Sequence, residues 1–176
     1  MQSPATSSTS PLCIRPSQPS DRAALYALVT QAGVFVEDEV SVAMELIDVA
    51  LQSPERDPHN YMLLVTELMN SDGTGSGQLV GYICYGRVPM TQGAWDLYWL
   101  ATDPSFRRQG IAANLCKAME AEIKDLGGTV IRVETSSTDG YGAAQSFYER
   151  NGYPERCRIP NFYKPGDDLI TMFKLL

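Results

Sequence analysis

A strand that passes through a short basic turn directly into a helix constrains this chain more than any other part of it. Ala94–Thr102 alternates, with Trp95, Leu97, Trp99 and Ala101 on one face and Asp96, Tyr98, Leu100 and Thr102 on the other. The turn DPSFRRQG follows. A helix is then predicted from about Gly110 to Leu126, because Ile111, Leu115, Met119, Ile123 and Leu126 recur at helical spacing and Gly127 and Gly128 end it. The first turn of a helix has unpaired N–H groups and the positive end of the dipole, which together attract an anion. Gly110 and Ala112 carry little or no side chain, so a pyrophosphate can approach the backbone. Arg107 and Arg108 add positive charge, and Gln109 and Ile111 complete the turn. The spacing is neither G-x-x-x-x-G-K-[ST] nor G-x-G-x-x-G. On its own, the segment can also be read as a solvated basic turn before a helix that starts with small residues.

The remaining chain alternates helical and extended periods. Residues 1–11 are Ser, Thr and Pro with little to bury and are read as a disordered tail. Residues 12–176 are read as one domain. Leu12–Arg15 is a short strand ended by Pro16. Ser20 and Asp21 cap a helix with Leu25, Leu28 and Val29 at helical spacing. The loop Gly33–Asp38 carries Phe35, Glu37 and Asp38, and a helix from about Glu39 to Leu51 places Val40, Met44, Ile47 and Leu51 on one face. Pro54 and Pro58 close this section. Tyr61–Leu68 and Leu79–Arg87 are paired strands around the tip SDGTGSG, and Pro89 with Gly93 makes the next turn. Val130–Thr135 is a strand. Tyr141–Asn151 is a helix with Ala144, Phe147 and Tyr148 on one face and Gly152 beyond its end. Strands at about Arg156–Tyr163 and Leu169–Leu175 flank KPGDD. The order β-α-α-β-β-β-α-β-α-β-β is an α/β class (α+β type) with a mixed sheet of about seven strands and about four helices.

Charge and composition exclude several function classes. Fourteen Lys and Arg against 21 Asp and Glu give a net charge of −7, so the chain repels phosphate backbones and no nucleic-acid partner is expected. No apolar run reaches the roughly 20 residues of a membrane span, so no membrane partner is expected. The start of the chain has neither a basic nor an apolar signal region, and a cytoplasmic protein is expected. Cys13, Cys84, Cys116 and Cys157 are scattered and His59 is the single histidine, so no zinc spacing can be written and no metal is expected. The cysteines are read as buried reduced thiols.

Several words of the chain resemble the GNAT N-acetyltransferase superfamily. Arg107-x-x-Gly110-x-Ala112 is similar to its [RQ]-x-x-G-x-[GA] signature. L-x-T-D-P at Leu100–Pro104 resembles the L-x-V-x-P that ends the family's fourth strand. Ala144-Gln-Ser-Phe147-Tyr148-Glu-Arg-Asn-Gly152-Tyr153 resembles A-x-x-F-Y-x-x-x-G-[FY], and Ile14-Arg15-Pro16 with Asp21 resembles the usual opening. The resemblance covers about residues 12–175. It implies a GNAT-like fold and acetyl-CoA as cosubstrate, held by Leu100, Ala101, Thr102, Arg107, Arg108, Gln109, Gly110, Ile111, Ala112, Tyr141, Ala144 and Phe147. Two positions depart from the pattern: Tyr141 stands where many members place a pantetheine-binding Asn, and Thr102 stands where Val is usual.

The expected reaction moves an acetyl group directly to a primary amine in a ternary complex. An alkyl amine with a pKa near 10 must lose a proton, an oxyanion must be stabilised, and the leaving thiolate must be protonated. Asp96 is the candidate base, by resemblance to the glutamate of histone-acetylating members; it can also be read as an ordinary polar residue at a strand start. Tyr148 is the candidate acid, by resemblance to the tyrosine beside the coenzyme sulfur; it can also be read as a core tyrosine. Trp95 and Trp99 are read as core. The family's acceptor groove implies Phe35, Glu37, Tyr98 and Asp168 as acceptor contacts. The acidic groups Glu37, Asp38, Glu39, Asp167 and Asp168 border it, which suits a cationic acceptor or simply keeps the protein soluble. A monomer or homodimer is expected. The alternative is a non-catalytic acyl-CoA-binding sensor domain.

Overall fold

A computed structural model describes residues 11–176 except 34, 54, 55 and 58. The expected tail and the two prolines Pro54 and Pro58 lie outside the described residues, apart from Pro11. The strands are β1 (Leu12–Pro16), β2 (Tyr61–Met69), β3 (Gly75–Arg87), β4 (Ala94–Thr102), β5 (Val130–Ser136), β6 (Glu155–Lys164) and β7 (Asp167–Leu175). The helices are α1 (Arg22–Gln31), α2 (Glu37–Leu51), α3 (Ile111–Asp125) and α4 (Gly142–Arg150). The seven strands form one sheet in the order β1-β2-β3-β4-β5-β7-β6. Neighbours are antiparallel except β4 and β5, which run parallel.

Two apolar layers sandwich the sheet. Leu25, Leu28, Val29, Ala43 and Ile47 of α1 and α2 pack on Leu63, Val65, Tyr82, Cys84 and Ala101. On the other face Ile111, Leu115, Met119 and Ile123 of α3, with Tyr148 of α4, pack on Ile83, Tyr85, Trp95, Leu97, Ile131 and Ile170. The helical stripes expected from the sequence supply the buried residues, because only those faces can leave water, except that Leu126 lies past the end of α3 and is exposed. Gly81 admits α3 closely: a Cβ there would lie 2.6 Å from Ile111 Cγ2.

Several boundaries differ from expectation. The hairpin tip is shorter, since β3 already pairs at Gly75 and Glu67 Oε1 accepts the Gly77 N–H at 2.7 Å. Helix α2 begins at Glu37, so Glu37 and Asp38 are its first turn rather than loop, stabilised by the dipole. Asp167 and Asp168 belong to β7. Asp21 does not cap α1 directly. It accepts the Gln18 N–H at 2.8 Å and takes a two-point bond from Arg15 at 2.7 and 2.9 Å. Burial pushes its carboxyl upward, but the Arg15 and Gln18 bonds outweigh that and hold it below the usual range.

The largest correction concerns β4. Cys84 pairs with Trp99 while Tyr85 pairs with Leu97, so Tyr98 is an extra residue in the strand. Alternation reverses there. Trp95 and Leu97 face α3, whereas Trp99 and Ala101 face α1 and α2. The four do not share a face. Asp96 likewise does not share a face with Leu100, which packs on the α3 side.

Candidate active site

The turn before α3 is built to leave backbone donors unused. Asp103 accepts the Ser105 N–H at 2.8 Å and starts a single 3-10 turn, Pro104–Phe106. Arg107 is then extended, Arg108 is left-handed with φ 64°, and Gly110 is left-handed with φ 79°. Left-handed residues alternating with others in a turn are the backbone pattern from which an anion nest is made. The first intrahelical bond is Asn114 N–H to the Gly110 carbonyl, 2.9 Å. Among the described residues, no acceptor takes the N–H groups from Arg108 to Ala113. A nest with a helix dipole behind it binds a phosphate group without any further device. Arg107 is placed differently from expectation: its Nη2 donates to the Ala32 carbonyl at the end of α1, 2.9 Å, so that donor is turned away from the nest. Arg108, Gln109 and Gly110 are exposed, and Ala112 is partly so.

The pairing of β4 with β5 ends one residue before Tyr98. β4 and β5 pair only through Ala94–Leu97 and Val130–Val133. Past Leu97 no strand among the described residues pairs with the β5-side edge of β4, which leaves the backbone of Leu100, Ala101 and Thr102 without a β5 partner just before the turn into α3. Tyr98 packs edge-on against Tyr61, 5.2 Å between centroids, and its phenol is pushed up to about 12, by burial first and then by Asp96.

The geometry counts against Asp96 as a free base. Its two oxygens accept from Arg132 Nε and Nη2 at 2.7 and 2.8 Å, a two-point fork at the adjoining register position of β5. Only 13% of the Asp96 side chain is exposed. The third guanidinium nitrogen of Arg132, Nη1, reaches Glu134 at 3.1 Å. Arg132 was not anticipated, because nothing short of the β4–β5 register links positions 96 and 132.

Helix α4 brings Ala144, Phe147 and Tyr148 against the α3-side core. Tyr148 is buried, its ring 5.3 Å from Phe147 and 6.1 Å from Tyr153. No described residue hydrogen-bonds its hydroxyl. Burial, and then Cys116, pushes the phenol upward, so it stays protonated as a donor. The Tyr141 hydroxyl donates instead to Glu39 at the start of α2. Glu39 was read as part of an acidic border and not as a contact of Tyr141.

The remaining candidates are dispersed along the other side. Phe35 stands edge-on to Trp99 at 5.1 Å. Glu37 and Asp38 are exposed. Asp168 is not an unpaired carboxylate: it accepts the Asn161 N–H at 2.9 Å and pairs with Arg158 at 3.1 Å, and these hold it below the usual range. Asp167, by contrast, is buried and takes the Ser136 hydroxyl at 2.5 Å. No described helix is long and apolar enough to cross a membrane.

Comparison with known proteins gives one consistent result. A family model described as an acetyltransferase (GNAT) domain matches residues 60–155, which hold the nest, the unpaired edge of β4 and α4. An uncharacterised N-acetyltransferase of Methanocaldococcus jannaschii is 33% identical over 101 residues, 56% of this chain; the match spans 60% of that relative. A crystal structure of a GNAT-family protein from Desulfovibrio desulfuricans superimposes with a TM-score of 0.82 at 28% identity, covering 94% of this chain and 99% of that one. The PaiA N-acetyltransferase of Thermoplasma acidophilum, solved with coenzyme A, has the same fold at 18% identity, with a TM-score of 0.69 over 94% of this chain and 99% of that one.

Proposed function

This chain belongs to the GNAT acetyltransferase family, and from that premise we propose that it moves the acetyl group of acetyl-CoA directly to a primary amine. The observation that carries this reading is the run of N–H groups from Arg108 to Ala113 with no acceptor among the described residues. A pyrophosphate supplies the missing acceptors. The unpaired edge of β4 at Leu100–Thr102 suits an extended pantetheine, and Ala144 and Phe147 of α4 pack on the same α3-side core as Leu100. The cosubstrate contributes an activated thioester, whose carbonyl backbone donors of β4 would polarise.

The chain's own residues then have a short task. With Asp96 held by Arg132, the acceptor is taken as its neutral fraction, about one part in a thousand at pH 7 for an amine of pKa near 10. The Tyr148 hydroxyl supplies the proton that the departing thiolate takes, and recovers one released by the attacking nitrogen. The carbon–sulfur bond breaks as the carbon–nitrogen bond forms. Glu37 and Asp38, exposed on a protein of net charge −7, favour a cationic acceptor. Relatives of this fold include an aminoglycoside 6'-N-acetyltransferase and a ribosomal-protein-alanine N-acetyltransferase, so both acceptor classes belong in a screen.

A second reading, a non-catalytic acyl-CoA sensor, is favoured by the pairing of Asp96 with Arg132. The deciding experiment is calorimetric titration with acetyl-CoA, followed by thiol release against polyamines, aminoglycosides and free N-terminal peptides. Binding with turnover on one amine supports the transferase. Binding with no turnover on any of them favours the sensor, and no binding overturns both.

A further inference from the structure

The connection between α1 and α2 is tied at both ends to the segments that flank the proposed cofactor groove. At the α1 end, Arg107 of the nest bonds the Ala32 carbonyl at 2.9 Å. At the α2 end, the Tyr141 hydroxyl bonds Glu39 Oε1, while Glu39 Oε2 accepts the Val36 N–H at 2.9 Å. Between them Phe35 leans on Trp99, the β4 residue immediately past the bulge. Tyr141 and Glu39 are 102 residues apart, so no local geometry requires their bond. Tyr141 sits in the single 3-10 turn that leads into α4. Its phenol is pushed upward, by burial first and then by Glu39, and remains a proton donor across the neutral range. A phenol has one proton to give, and this one goes to a carboxylate, the stronger kind of hydrogen bond.

We infer that Tyr141 is a positioning residue of the acceptor site: through Glu39 it straps the Phe35–Glu39 segment to the start of α4, opposite the bond that Arg107 makes to Ala32. The resemblance implied a pantetheine contact at this position. The inference gives Tyr141 to the acceptor side instead. It rests on reading the unpaired edge of β4 as the acetyl-CoA groove and Phe35–Glu39 as the wall facing the acceptor. One consequence follows for binding. The wall's position is set by the same two segments that hold the cofactor, so loss of the strap raises the acceptor KM and leaves cofactor affinity alone.

The test uses the full chain and hydrogen exchange read by mass spectrometry, with coenzyme A as the probe ligand. In Tyr141→Phe, which keeps the ring, exchange in Phe35–Val40 should rise about tenfold, equivalent to about 1.4 kcal/mol. Exchange in the nest should be unchanged, and the coenzyme A Kd should stay within about twofold. Glu39→Ala should behave the same way, and the double variant should add nothing further. Glu39→Gln keeps an acceptor oxygen and should fall between wild type and Tyr141→Phe. With spermidine and a free N-terminal alanyl peptide as acceptor probes, KM should rise while kcat holds. Unchanged exchange at Phe35–Val40 in both Tyr141→Phe and Glu39→Ala overturns the strap, as does a loss of coenzyme A affinity in Tyr141→Phe with exchange unaltered. The exchange readout needs no catalysis. A wild-type protein that ignores coenzyme A would therefore sink the proposed function while leaving the strap intact.

Discussion

The nest before α3 and the wall of side chains proposed for the acceptor site are built on opposite principles. In the nest, N–H groups from Arg108 to Ala113 have no acceptor among the described residues. At the candidate acceptor residues the polar groups already hold one another: Asp96 with Arg132, Asp168 with Arg158, and Glu39 with Tyr141. A site made of unpaired backbone donors is preorganised and accepts one kind of ligand, an anion. A site made of paired side chains presents little free charge, and its specificity depends on which pairs yield. This difference separates what the molecule declares about its cofactor from what it declares about its acceptor.

Replacing Gly110 strikes the nest and should have the largest effect. Gly110→Glu sets a carboxylate where a pyrophosphate would bind, at a residue whose φ of 79° also disfavours any side chain. Acetyl-CoA affinity should fall more than a hundredfold, about 3 kcal/mol, in calorimetry on the folded variant. Gly110→Ala is the control. A Cβ there meets nothing closer than Asn114 Nδ2 at 3.8 Å, so it should cost only the conformational penalty of about 1–2 kcal/mol. Affinity that survives Gly110→Glu would erase the contrast between the two regions.

Tyr148 belongs to neither set: it is a buried hydroxyl of the α3-side core without a described partner. Tyr148→Phe should lower kcat by about tenfold to several thousandfold and leave coenzyme A affinity nearly unchanged. Burial holds the phenol above its ordinary pKa, so its protonated form persists through neutral pH and kcat should show no alkaline decline there. A steady kcat in Tyr148→Phe would make this tyrosine a core residue only.

Exposed charge on the wall should have a smaller influence. Raising salt from 0.1 M to 1 M shortens the Debye length from about 10 Å to about 3 Å. If Glu37 and Asp38 steer a cationic acceptor, kcat/KM at saturating acetyl-CoA should drop by roughly three- to tenfold over that range. The drop should be smaller in a Glu37→Gln, Asp38→Asn variant. Asp168 is a poor choice for this test, because Arg158 already neutralises it. Equal salt responses in both proteins would leave the acidic loops a role in solubility alone.

The nest was legible in the sequence because it depends on a local run: a strand, a turn with Gly110, and a helix with Ile111 and Leu115 inward. The element order and helical stripes were legible for the same reason. What escaped was set by register. One extra residue in β4, Tyr98, reversed the faces of Trp99 and Ala101 relative to Trp95 and Leu97. Nothing in the local pattern of Ala94–Thr102 marks the bulge, since every residue in it suits a strand. The partners of Asp96 and Tyr141 lie 36 and 102 residues away, beyond any periodic signal. Side-chain function on the wall was therefore assigned by analogy, and for Asp96 the pairing with Arg132 stands against the analogy.

Asp96→Asn should have the smallest effect on turnover, and it bears most directly on how the acceptor loses its proton. The amide keeps an oxygen for Arg132, which also retains Glu134 at 3.1 Å and is itself 43% exposed. Losing one of the two charge-assisted bonds should lower stability by about 1–3 kcal/mol. A general base contributes a factor of about 100 to 10,000, and its removal would lower kcat by that amount. If the amine instead loses its proton to solvent before attack, kcat should stay within about threefold of wild type. The pH profile separates the two cases independently of magnitude. Without a carboxylate base, log kcat/KM for the acceptor rises with unit slope to the amine's own pKa, near 10 for an alkyl amine, in wild type and variant alike. With Asp96 as base, the wild-type and variant profiles would differ in shape. A hundredfold loss together with a changed profile would mean that acceptor binding opens the Asp96–Arg132 fork, and the wall would then hold a masked base rather than a structural pair.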